Sequence, residues 1–408
     1  MPSASERDLE LWAASGAMAL TGRPDGPPLV APGRPAGFAQ DALDQIATAA
    51  RQRTGTAPDL PGIELLGERA AISSLSRQGP HSCGGSFRLV PTRDGFLGLS
   101  LPRSTDVGLV PALVEDGRHA DPWELVGHWA AEILTTEATA RCRLLGLACA
   151  GIPIEPVSRP PVVGTSGGSR VFRRERPLVL DLSSLWAGPL CTQLLHLCGA
   201  EVIKVESIHR PDGARSGPAA FFDLLHAGKQ MVALDLTTRT GRDQLRALAG
   251  VADLVVEASR PRAMLQLGLV AEDLVAAGTS WLSITARGRA SNDIGFGDDV
   301  AVGAGLVAWD HGVPMPCGDA LADPLTGLVA AAAAMSALGE EDASLIDVSM
   351  EAVCASAIGP VEPHTVTRTS QGWELAHAAG TVTVEPPRVR RPTGRAGALG
   401  ADNATVLR

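Results

Sequence analysis

The stretch that decides the fold runs from 178 to 206 and reads LVLDLSSLWAGPLCTQLLHLCGAEVIKVE. Its first five and last six residues are short apolar runs of the kind that form buried strands. The residues between them have helical spacing and lead into a turn at Gly199. A strand, a helix and a second strand in this order predict neighbouring parallel strands of an α/β sheet.

The same alternation continues beyond this stretch. Strand patterns follow at 231–236 (MVALDL), 253–257 (DLVVE) and 281–285 (WLSIT), and a helical pattern at 241–249 separates the first two. Strands that alternate with helices are typical of an open, mostly parallel sheet. We therefore expect the fold class α/β, with a Rossmann-like sheet domain and a smaller α+β domain.

The smaller domain is predicted in the N-terminal part of the chain. Residues 87–101 (FRLVPTRDGFLGLSL) form two strand-like runs on either side of Asp94-Gly95, which predicts a β-hairpin. Helical patterns lie before and after it, at 41–51 and 122–145. Mixed strands and helices of this kind indicate an α+β module.

The proposed domain boundary is the segment 159–176, RPPVVGTSGGSRVFRRER. Its Pro, Gly, Ser and Arg content, with little periodicity, predicts an exposed and mobile linker. It separates a smaller domain at 1–158 from a Rossmann-like domain at 177–408. The second domain also contains an alanine-rich helical pattern at 327–338 and a basic, proline-rich tail that we expect to be extended.

The composition limits the classes of function. The chain has 408 residues, 45% of them hydrophobic and 20% charged, and a formal net charge of -10, as expected for a soluble globular protein. Such a negative field disfavours nucleic acid and anionic membrane as partners. The seven cysteines include no C-x-x-C pair, so a zinc ribbon or thioredoxin motif is not indicated. The first residues, MPSASERDLELW, lack the apolar run of a secretory signal, and we expect a cytoplasmic protein.

Two distant segments of the sequence are similar to each other. WAASGAMALTG at 12–22 is followed by Pro27 and Pro28, and VAVGAGLVAW at 300–309 is followed by Pro314 and Pro316. Both are small-residue helical patterns that lead into a proline-containing loop. Beyond the second pair of prolines comes GDALAD at 318–323, whereas beyond the first pair no acidic residue appears until 41.

The C-terminal part resembles the family III CoA-transferases, a group that includes the α-methylacyl-CoA racemases. The resemblance begins with VLDLSSLWAGP at 179–189 and GAEVIKVE at 199–206. It continues in family order through several short motifs: PDGAR at 211–215, GKQMVALDL at 228–236, VEASRP at 256–261, LGL at 267–269, LADPLTGL at 321–328 and IDVSM at 346–350. It implies that 177–408 binds CoA, that acyl-CoA and a carboxylic acid are the substrates, and that no cofactor is bound permanently. It also implies a homodimer and a role in lipid metabolism.

The order of the segments departs from the family. The family's smaller domain follows the alanine-rich helix, but the segments that resemble it here come first: CGGSF at 83–87, the hairpin turn at 94–95 and GIPIEPV at 151–157. The chain therefore resembles either a permuted family member or a fusion of a degenerate copy with a truncated one. The internal similarity favours the fusion.

The resemblance assigns catalytic roles to three residues. Asp323 matches the family's carboxylate nucleophile, which precedes an alanine-rich helix and forms an anhydride and then a CoA thioester. An N-cap followed by proline at the first helical position is the structural alternative for Asp323. Gly84 and Gly85 are expected to close on the anhydride and to donate backbone N–H groups to it. An ordinary tight approach to the hairpin is the alternative for the two glycines.

Four residues are candidates for binding CoA. Arg215, Lys229 and Arg260 match positions near strand ends, where ligands of open α/β sheets bind, and they supply cations for the CoA phosphates. Solvated surface charge is the alternative for each. Trp186 is expected to wall the acyl pocket, or else to pack in the core. The chain lacks both G-x-G-x-x-G after a strand and G-x-x-x-x-G-K-[ST], so nicotinamide and nucleoside-triphosphate chemistry have no support.

Two other functions remain open at the level of sequence. A 2-methylacyl-CoA racemase needs a second base, and racemase members have a His-Asp pair where this chain reads GDD at 297–299. The missing histidine weakens that hypothesis, although Asp298 with a raised pKa would be a substitute base, and His311 beside Asp310 is another proton carrier. The rearranged halves motivate a third hypothesis, a non-catalytic CoA-binding subunit.

Overall fold

The computed structural model describes residues 4–117, 120–155, 157–170 and 174–407. Its α-helices, in chain order, are α1 (Ala4–Ala14), α2 (Pro35–Thr54), α3 (Glu68–Ile72), α4 (Ser104–Val107), α5 (Val110–Val114), α6 (Pro122–Ala131), α7 (Thr135–Leu144), α8 (Ala187–Leu197), α9 (Ala219–His226), α10 (Arg239–Val251), α11 (Pro261–Gln266), α12 (Ala271–Ala276), α13 (Gly297–Ala304), α14 (Ala322–Gly339), α15 (Met350–Ala357) and α16 (Asn403–Val406). Its β-strands are β1 (Phe87–Pro91), β2 (Phe96–Ser100), β3 (Ala148–Gly151), β4 (Val162–Ser169), β5 (Leu178–Asp181), β6 (Glu201–Ser207), β7 (Gln230–Leu234), β8 (Leu254–Glu257), β9 (Ser280–Thr285), β10 (Val307–Asp310), β11 (Val313–Pro316), β12 (Asp342–Ser349), β13 (Thr365–Thr369), β14 (Gly372–His377) and β15 (Gly380–Thr383).

The main sheet has seven strands in the order β4-β12-β9-β8-β5-β6-β7. All neighbouring pairs are parallel except β12 with β4, which are antiparallel. The five strands predicted from apolar runs are β5, β6, β7, β8 and β9 of this sheet. The predicted α/β class with an open, mostly parallel sheet is therefore confirmed.

Three smaller antiparallel sheets complete the fold. The predicted hairpin at 87–101 is present as β1 and β2, paired from Phe87 opposite Ser100 to Pro91 opposite Phe96, and β3 adds to β2. The strands β10 and β11 form a second hairpin just before α14, and β13-β14-β15 form a third sheet near the C-terminus. The first of these sheets packs on α13 through β2 and β3.

The segment 159–176 is not a mobile linker in the part that the structure describes. Val162–Ser169 forms β4, the edge strand that pairs with β12, although most of its residues are exposed as expected. An edge strand is held by backbone hydrogen bonds, so its side chains need not follow a buried pattern. The predicted mobility is wrong for β4, because composition does not report backbone pairing. Residues 171–173 of this segment, and residue 156 of the GIPIEPV motif, lie outside the described residues.

One core joins the N-terminal helices to the large sheet. Buried residues of α1 and α2 belong to the same apolar cluster as those of α8 and α14. Ala330, Ala331 and Ala334 of α14 are fully buried, and their small side chains allow α2 and α8 to pack closely on either side. The boundary between residues 1–158 and 177–408 stays a prediction, but its two sides share this core.

The long helix α14 has the length and apolar composition of a membrane span. Within the described residues it is the one helix with enough length and apolar character, and 61% of it is buried inside the protein. Core helices of soluble proteins have the same composition, so the finding is weak evidence for a span.

The C-terminal tail runs extended across the N-terminal helices, as expected. The Glu385 N–H donates to the Ala13 carbonyl at 2.9 Å. Gly16 allows the close approach, since a Cβ at this position would lie 2.7 Å from the Pro387 Cα. Further along, Arg390 pairs with the fully buried Glu68 at 2.7 Å. The tail therefore ties the two ends of the chain together.

Candidate active site

Asp323 lies in the first turn of α14, which follows a tight turn at 318–321. Gly318 and Ala320 of this turn have positive φ values of 66° and 47°. The N-cap of α14 is Leu321, and Asp323 lies inside the helix. The interpretation of Asp323 as an N-cap followed by Pro324 is therefore wrong. Its carboxylate still benefits from the partial positive charge of the helix N-terminus.

A second helix N-terminus faces the same carboxylate. The backbone N–H of Ala187, the first residue of α8, donates a hydrogen bond to Asp323. Because α8 follows the carboxyl end of β5, Asp323 lies at the edge of the sheet where ligands of α/β proteins bind. On its other side Asp323 contacts Gly297, where a Cβ would lie 2.4 Å from the Asp323 Oδ2.

Burial and nearby acids raise the pKa of Asp323 to about 7, and this is the chemical signature of the site. Loss of solvent is the largest cause, and the carboxylates of Asp299 and Asp319 add to it. The Arg69 guanidinium and the Ala187 N–H act in the opposite direction. The carboxyl group is closely surrounded by protein, although part of the residue remains exposed. A carboxyl group with a pKa near 7 is a common feature of catalytic sites.

Two further acids in α13 have raised pKa values. Burial, with the charge of Asp319, raises the pKa of Asp298 to about 7, while its Oδ1 accepts the Ala320 N–H at 3.1 Å. Burial also raises the pKa of Asp299 to about 6. Asp299 accepts hydrogen bonds from the Ser100 hydroxyl at 2.8 Å and from the Phe296 N–H at 2.9 Å. The hairpin β1-β2 is thus connected directly to the acids beside Asp323.

Arg69 brings a cation into this acidic cluster. Its Nε donates to the Asp319 Oδ2 at 2.9 Å and its Nη2 to the Asp319 Oδ1. The guanidinium lies over the ring of Trp186, 5.3 Å from the ring centroid. Sequence reasoning missed Arg69, Asp319 and Asp299. Arg69 carried no signal, because it lies 250 positions from its ion-pair partner and outside the segment that resembles the family.

Gly84 and Gly85 form an exposed loop beside the turn that precedes α14. The neighbouring Cys83 Sγ contacts the Gly318 carbonyl at 3.5 Å. Gly85 has a φ of 76°, and its N–H donates to the Ser82 carbonyl at 2.9 Å within the turn. No atom lies within 4 Å of a Cβ built on either glycine. The predicted loop therefore lies beside the turn that leads to Asp323 and has open space around it, but the Gly85 N–H already donates to the Ser82 carbonyl.

Trp186 is packed in the core, which was the alternative stated for it. It is only 3% exposed and packs edge-on against Phe221, with ring centroids 5.2 Å apart. It directly precedes the Ala187 N–H that binds Asp323, and Arg69 covers its ring. The Trp186 Nε1 is buried without a hydrogen-bond partner among the described residues. Trp186 is therefore a core residue next to Asp323, and its role as a wall of an acyl pocket stays a prediction.

Lys229 is committed to a buried ion pair. Its Nζ lies 3.1 Å from the Asp181 Oδ2, and it donates to the Thr192 hydroxyl at 2.7 Å and to the Pro189 carbonyl at 3.0 Å. Both charged side chains are fully buried, and burial lowers the pKa of Lys229 to about 8. An ammonium with no exposed surface does not reach a CoA phosphate in this geometry. The buried ion pair with Asp181, and not contact with CoA, accounts for the lysine in this motif.

The other two predicted cations differ in their availability. Arg215 pairs with Glu206 at 2.6 Å, lies 4.4 Å from the Phe222 ring centroid and donates to the Gly397 carbonyl at 3.4 Å. It therefore ties the C-terminal tail to the sheet. Arg260 is exposed at the start of α11, just beyond the carboxyl end of β8. Of the three predicted cations, Arg260 has the geometry that best suits a phosphate.

One cavity lies away from this site, and the described residues offer no metal site. A cavity of about 870 Å³ lies at the opposite end of α14, where Met335, Ser336 and Gly339 contribute to its lining. Within the described residues, no group of three or more His, Cys, Asp or Glu side chains is arranged to hold a metal ion.

The family model for CoA-transferase family III matches residues 177–380. This match spans half of the chain, and the chain belongs to this family. The resemblance stated from the sequence motifs is thereby confirmed.

Individual relatives match the same part of the chain. A probable fatty acyl-CoA transferase of Mycobacterium tuberculosis is 35% identical over 204 residues, which are 44% of this chain and 50% of the relative. The mouse succinyl-CoA:glutarate CoA-transferase is 32% identical over 175 residues, 39% of this chain and 40% of the relative. A crystal structure of the mycobacterial protein is 30% identical, with a TM-score of 0.45, and covers 52% of this chain and 65% of that one. The chain therefore spans about half, or less, of the length of these curated relatives.

Proposed function

We propose that this chain transfers coenzyme A between an acyl-CoA thioester and a carboxylic acid, with Asp323 as the nucleophile. The observation that carries the proposal is the position of the Asp323 carboxylate between the N-termini of α8 and α14, beside an open glycine loop. The family membership and the names of the relatives support the class of reaction.

The first half of the reaction makes an enzyme thioester. The Asp323 carboxylate attacks the acyl carbonyl carbon, the carbon–sulfur bond breaks, and CoA leaves as a thiolate from a mixed anhydride. The thiolate then attacks the Asp323 carbonyl carbon of the anhydride. The bond from that carbon to the bridging oxygen breaks, which releases the first acid as a carboxylate and leaves aspartyl-CoA.

The second half runs the same steps with the acceptor acid. Its carboxylate attacks the aspartyl-CoA carbonyl and expels the CoA thiolate, which forms a second anhydride. The thiolate then attacks the acceptor's carbonyl carbon, releasing the new acyl-CoA and the free Asp323 carboxylate. No proton or electron is gained or lost overall, so the reaction needs no further cofactor.

The surrounding residues have defined tasks in this scheme. The Ala187 N–H and the two helix N-termini stabilise the negative charge of Asp323 between turnovers. The Gly84 N–H is a donor suited to the oxyanion that forms on the attacked carbonyl. Arg260 supplies a cation for the phosphates of CoA. Trp186 limits the space beside the reacting carbon.

The experiment for the proposed function is a transfer panel read by mass spectrometry. Acetyl-, succinyl- and octanoyl-CoA are each incubated with a set of carboxylic acids, including succinate, glutarate and oxalate. We expect at least one new acyl-CoA that depends on both substrates and is absent with Asp323→Asn. A panel without any new acyl-CoA would contradict the proposal.

Chemical trapping tests the intermediate. Hydroxylamine attacks an anhydride or thioester of Asp323 and leaves a hydroxamate on that residue. We expect inactivation that requires both acyl-CoA and hydroxylamine, with the modification located at Asp323 by peptide mass. Inactivation without any change of the Asp323 peptide would argue against this nucleophile.

One observation favours a second candidate, epimerisation of a 2-methylacyl-CoA. Asp298 has a pKa of about 7, as a second base would require, and it follows Gly297, which packs on the Asp323 carboxylate. Against it, residue 297 is a glycine packed on the Asp323 carboxylate, so no imidazole is available at that position. Exchange of the α-hydrogen in heavy water without an acceptor acid would favour the epimerase, whereas no exchange supports transfer.

A non-catalytic role and the assembly state are separate questions. A CoA-binding subunit would bind CoA tightly and turn over no acyl-CoA in the panel. We also propose that the chain is a cytoplasmic homodimer. Its resemblance to the family supports the dimer, and its free, buried cysteines support the cytoplasm. Light scattering on the purified chain measures the assembly state, and a monomer would contradict the dimer.

A further inference from the structure

Arg69 lies in α3, in the half of the chain that the family model does not match. The Arg69 Nε and Nη2 donate hydrogen bonds to the carboxylate of Asp319, whose side chain is fully buried. The Arg69 guanidinium lies over the Trp186 ring. About a third of the side chain, 32%, remains exposed, and no described residue accepts a hydrogen bond from Nη1. Arg69 is therefore fixed in place by Asp319 and the Trp186 ring.

The groups that face Asp323 are mostly negative or neutral. Asp299 comes from α13, Asp319 from the turn before α14, and the Cys354 thiol from α15, where burial raises the pKa of the thiol. The Ala187 N–H of α8 is the neutral donor. Within the described residues, Arg69 is the cation whose charge lowers the pKa of Asp323, and its guanidinium is held by Asp319, four positions before Asp323. The Asp298 carboxylate in turn raises the pKa of Arg69. Without Arg69, the charged groups that face Asp323 would be the carboxylates of Asp299 and Asp319.

We propose that Arg69 is a positioning residue for the nucleophile: it holds Asp323 in the charged form that attacks the thioester. This inference rests on the proposed function. It gives the N-terminal half a direct role in the chemistry of the C-terminal half. An arginine suits the task because its guanidinium does not lose its proton in proteins, so its charge is constant over the working pH range.

The expected sign of the effect follows from the charges. Removing a positive charge near a carboxylate raises the pKa of the carboxyl group. More of Asp323 is then protonated at neutral pH, and a protonated carboxyl group is a poor nucleophile. The acid limb of the profile of kcat against pH, which reports the ionisation of the bound enzyme, should move to higher pH.

The test measures kcat and KM from pH 5 to 9 for the full-length chain, with the substrate pair transferred fastest in the panel above. We expect Arg69→Gln to move the acid limb upward by about 1 pH unit and to lower kcat at pH 6 by about tenfold, with KM changed by less than about threefold. Arg69→Lys should keep the limb close to that of the wild type.

Two further variants separate this role from a structural one. Asp319→Asn removes a negative charge near Asp323 and should move the acid limb to lower pH, opposite to Arg69→Gln. Arg77→Gln is the matched control, because Arg77 bonds to the carbonyls of Arg23, Ala19 and Gly26 and not to the acidic cluster. It should leave the acid limb unchanged even if the chain becomes less stable. If Arg69→Gln does not fold, the double variant Arg69→Gln/Asp319→Asn removes both partners of the ion pair. Its acid limb should then lie at higher pH than that of Asp319→Asn alone, and an equal limb would contradict the role of Arg69.

The outcomes distinguish this inference from the proposed function. A wild-type chain that transfers CoA, with the same acid limb in Arg69→Gln, would overturn the role of Arg69 alone. A wild-type chain that transfers nothing would overturn the proposed function and this inference together. Opposite shifts in the two variants, with the limb of Arg77→Gln unchanged, would support it.

Discussion

At the scale of single residues, the site is defined by how Asp323 is balanced. Burial and the acids Asp299 and Asp319 favour its protonated form, whereas Arg69 and the Ala187 N–H favour the carboxylate. Together these effects give Asp323 a pKa of about 7. This is higher than the pKa of an exposed aspartic acid and lower than burial would give without Arg69 and the Ala187 N–H. A carboxylate that is desolvated but still ionised at neutral pH is a better nucleophile than a solvated one.

The first prediction concerns Asp323 itself. Asp323→Asn keeps the shape of the side chain but cannot form an anhydride, so the rate of CoA transfer should fall by roughly 10³-fold or more. Thermal unfolding should show no loss of stability, because the change removes a charge from an acidic cluster. Asp41→Asn, in an exposed ion pair with Arg34, is the control and should transfer at the wild-type rate. Appreciable transfer by Asp323→Asn would contradict the assignment.

The second prediction concerns the pH dependence of stability. Burial raises the pKa of Asp298 from 3.8 to about 7, so between these values the folded chain holds a proton that the unfolded chain has released. This contribution to stability is present below pH 3.8 and is lost as the pH rises towards 7. Asp298→Asn does not titrate and should be more stable than the wild type at pH 8, by about 1–3 kcal/mol, with the difference shrinking towards pH 4. Urea unfolding at the two pH values measures it, and an equal difference at both would contradict the raised pKa.

At the scale of elements, the glycine loop offers a matched pair of substitutions. Gly85 has a positive φ, so Gly85→Ala should cost about 1 kcal/mol of stability, whereas Gly84→Ala should cost little. Both changes add a methyl group to a loop that we expect to close on the substrate. We therefore predict that kcat/KM falls in both variants but that only Gly85→Ala lowers Tm. Wild-type activity in Gly84→Ala would mean that the loop serves only to approach the hairpin.

Some secondary-structure elements and site residues were predictable from the sequence, and others were not. The strands β5 to β9 were predictable because a buried parallel strand needs an apolar run, and the β1-β2 hairpin because Asp94-Gly95 marks its turn. The strand β4 was not predictable, because its exposed edge position leaves the side chains without a pattern. Arg69 was not predictable either, since only the folded chain brings α3 next to the turn before α14. Lys229 was misjudged because a cation near a strand end can be buried as easily as exposed.

At the scale of the whole molecule, the two similar segments are alike only in part. Each includes the end of a helix and leads to a second helix, and the second helices, α2 and α14, pack against each other. The connections differ, because the strands β10 and β11 form a hairpin between α13 and α14, whereas a 3₁₀ turn and a loop connect α1 to α2. The fusion therefore stays a hypothesis, while the shared core shows that the N-terminal helices pack directly against α14.

The C-terminal tail is joined to the N-terminal half by a buried ion pair. Arg390 neutralises the fully buried Glu68, whose pKa is raised by burial. Arg390→Met leaves that charge uncompensated and should lower the free energy of unfolding by about 3–5 kcal/mol. Arg388→Met in the same tail is the control, because Arg388 is exposed and lies 3.8 Å from Glu385. Unfolding in urea measures both variants.

A double variant checks the cause of that loss. Glu68→Gln combined with Arg390→Met removes both charges and should recover part of the stability. Equal losses in Arg388→Met and Arg390→Met, or no recovery in the double variant, would show that the tail does not depend on this ion pair.

The most direct test of the central claim follows an oxygen atom. When the acceptor acid carries ¹⁸O in its carboxylate, the last step leaves one of its oxygens on the enzyme carboxylate. Peptide mass spectrometry after several turnovers should therefore find ¹⁸O in the side chain of Asp323 and not in Asp298, Asp299 or Asp319. Rapid transfer of CoA with no ¹⁸O in Asp323 would contradict the account.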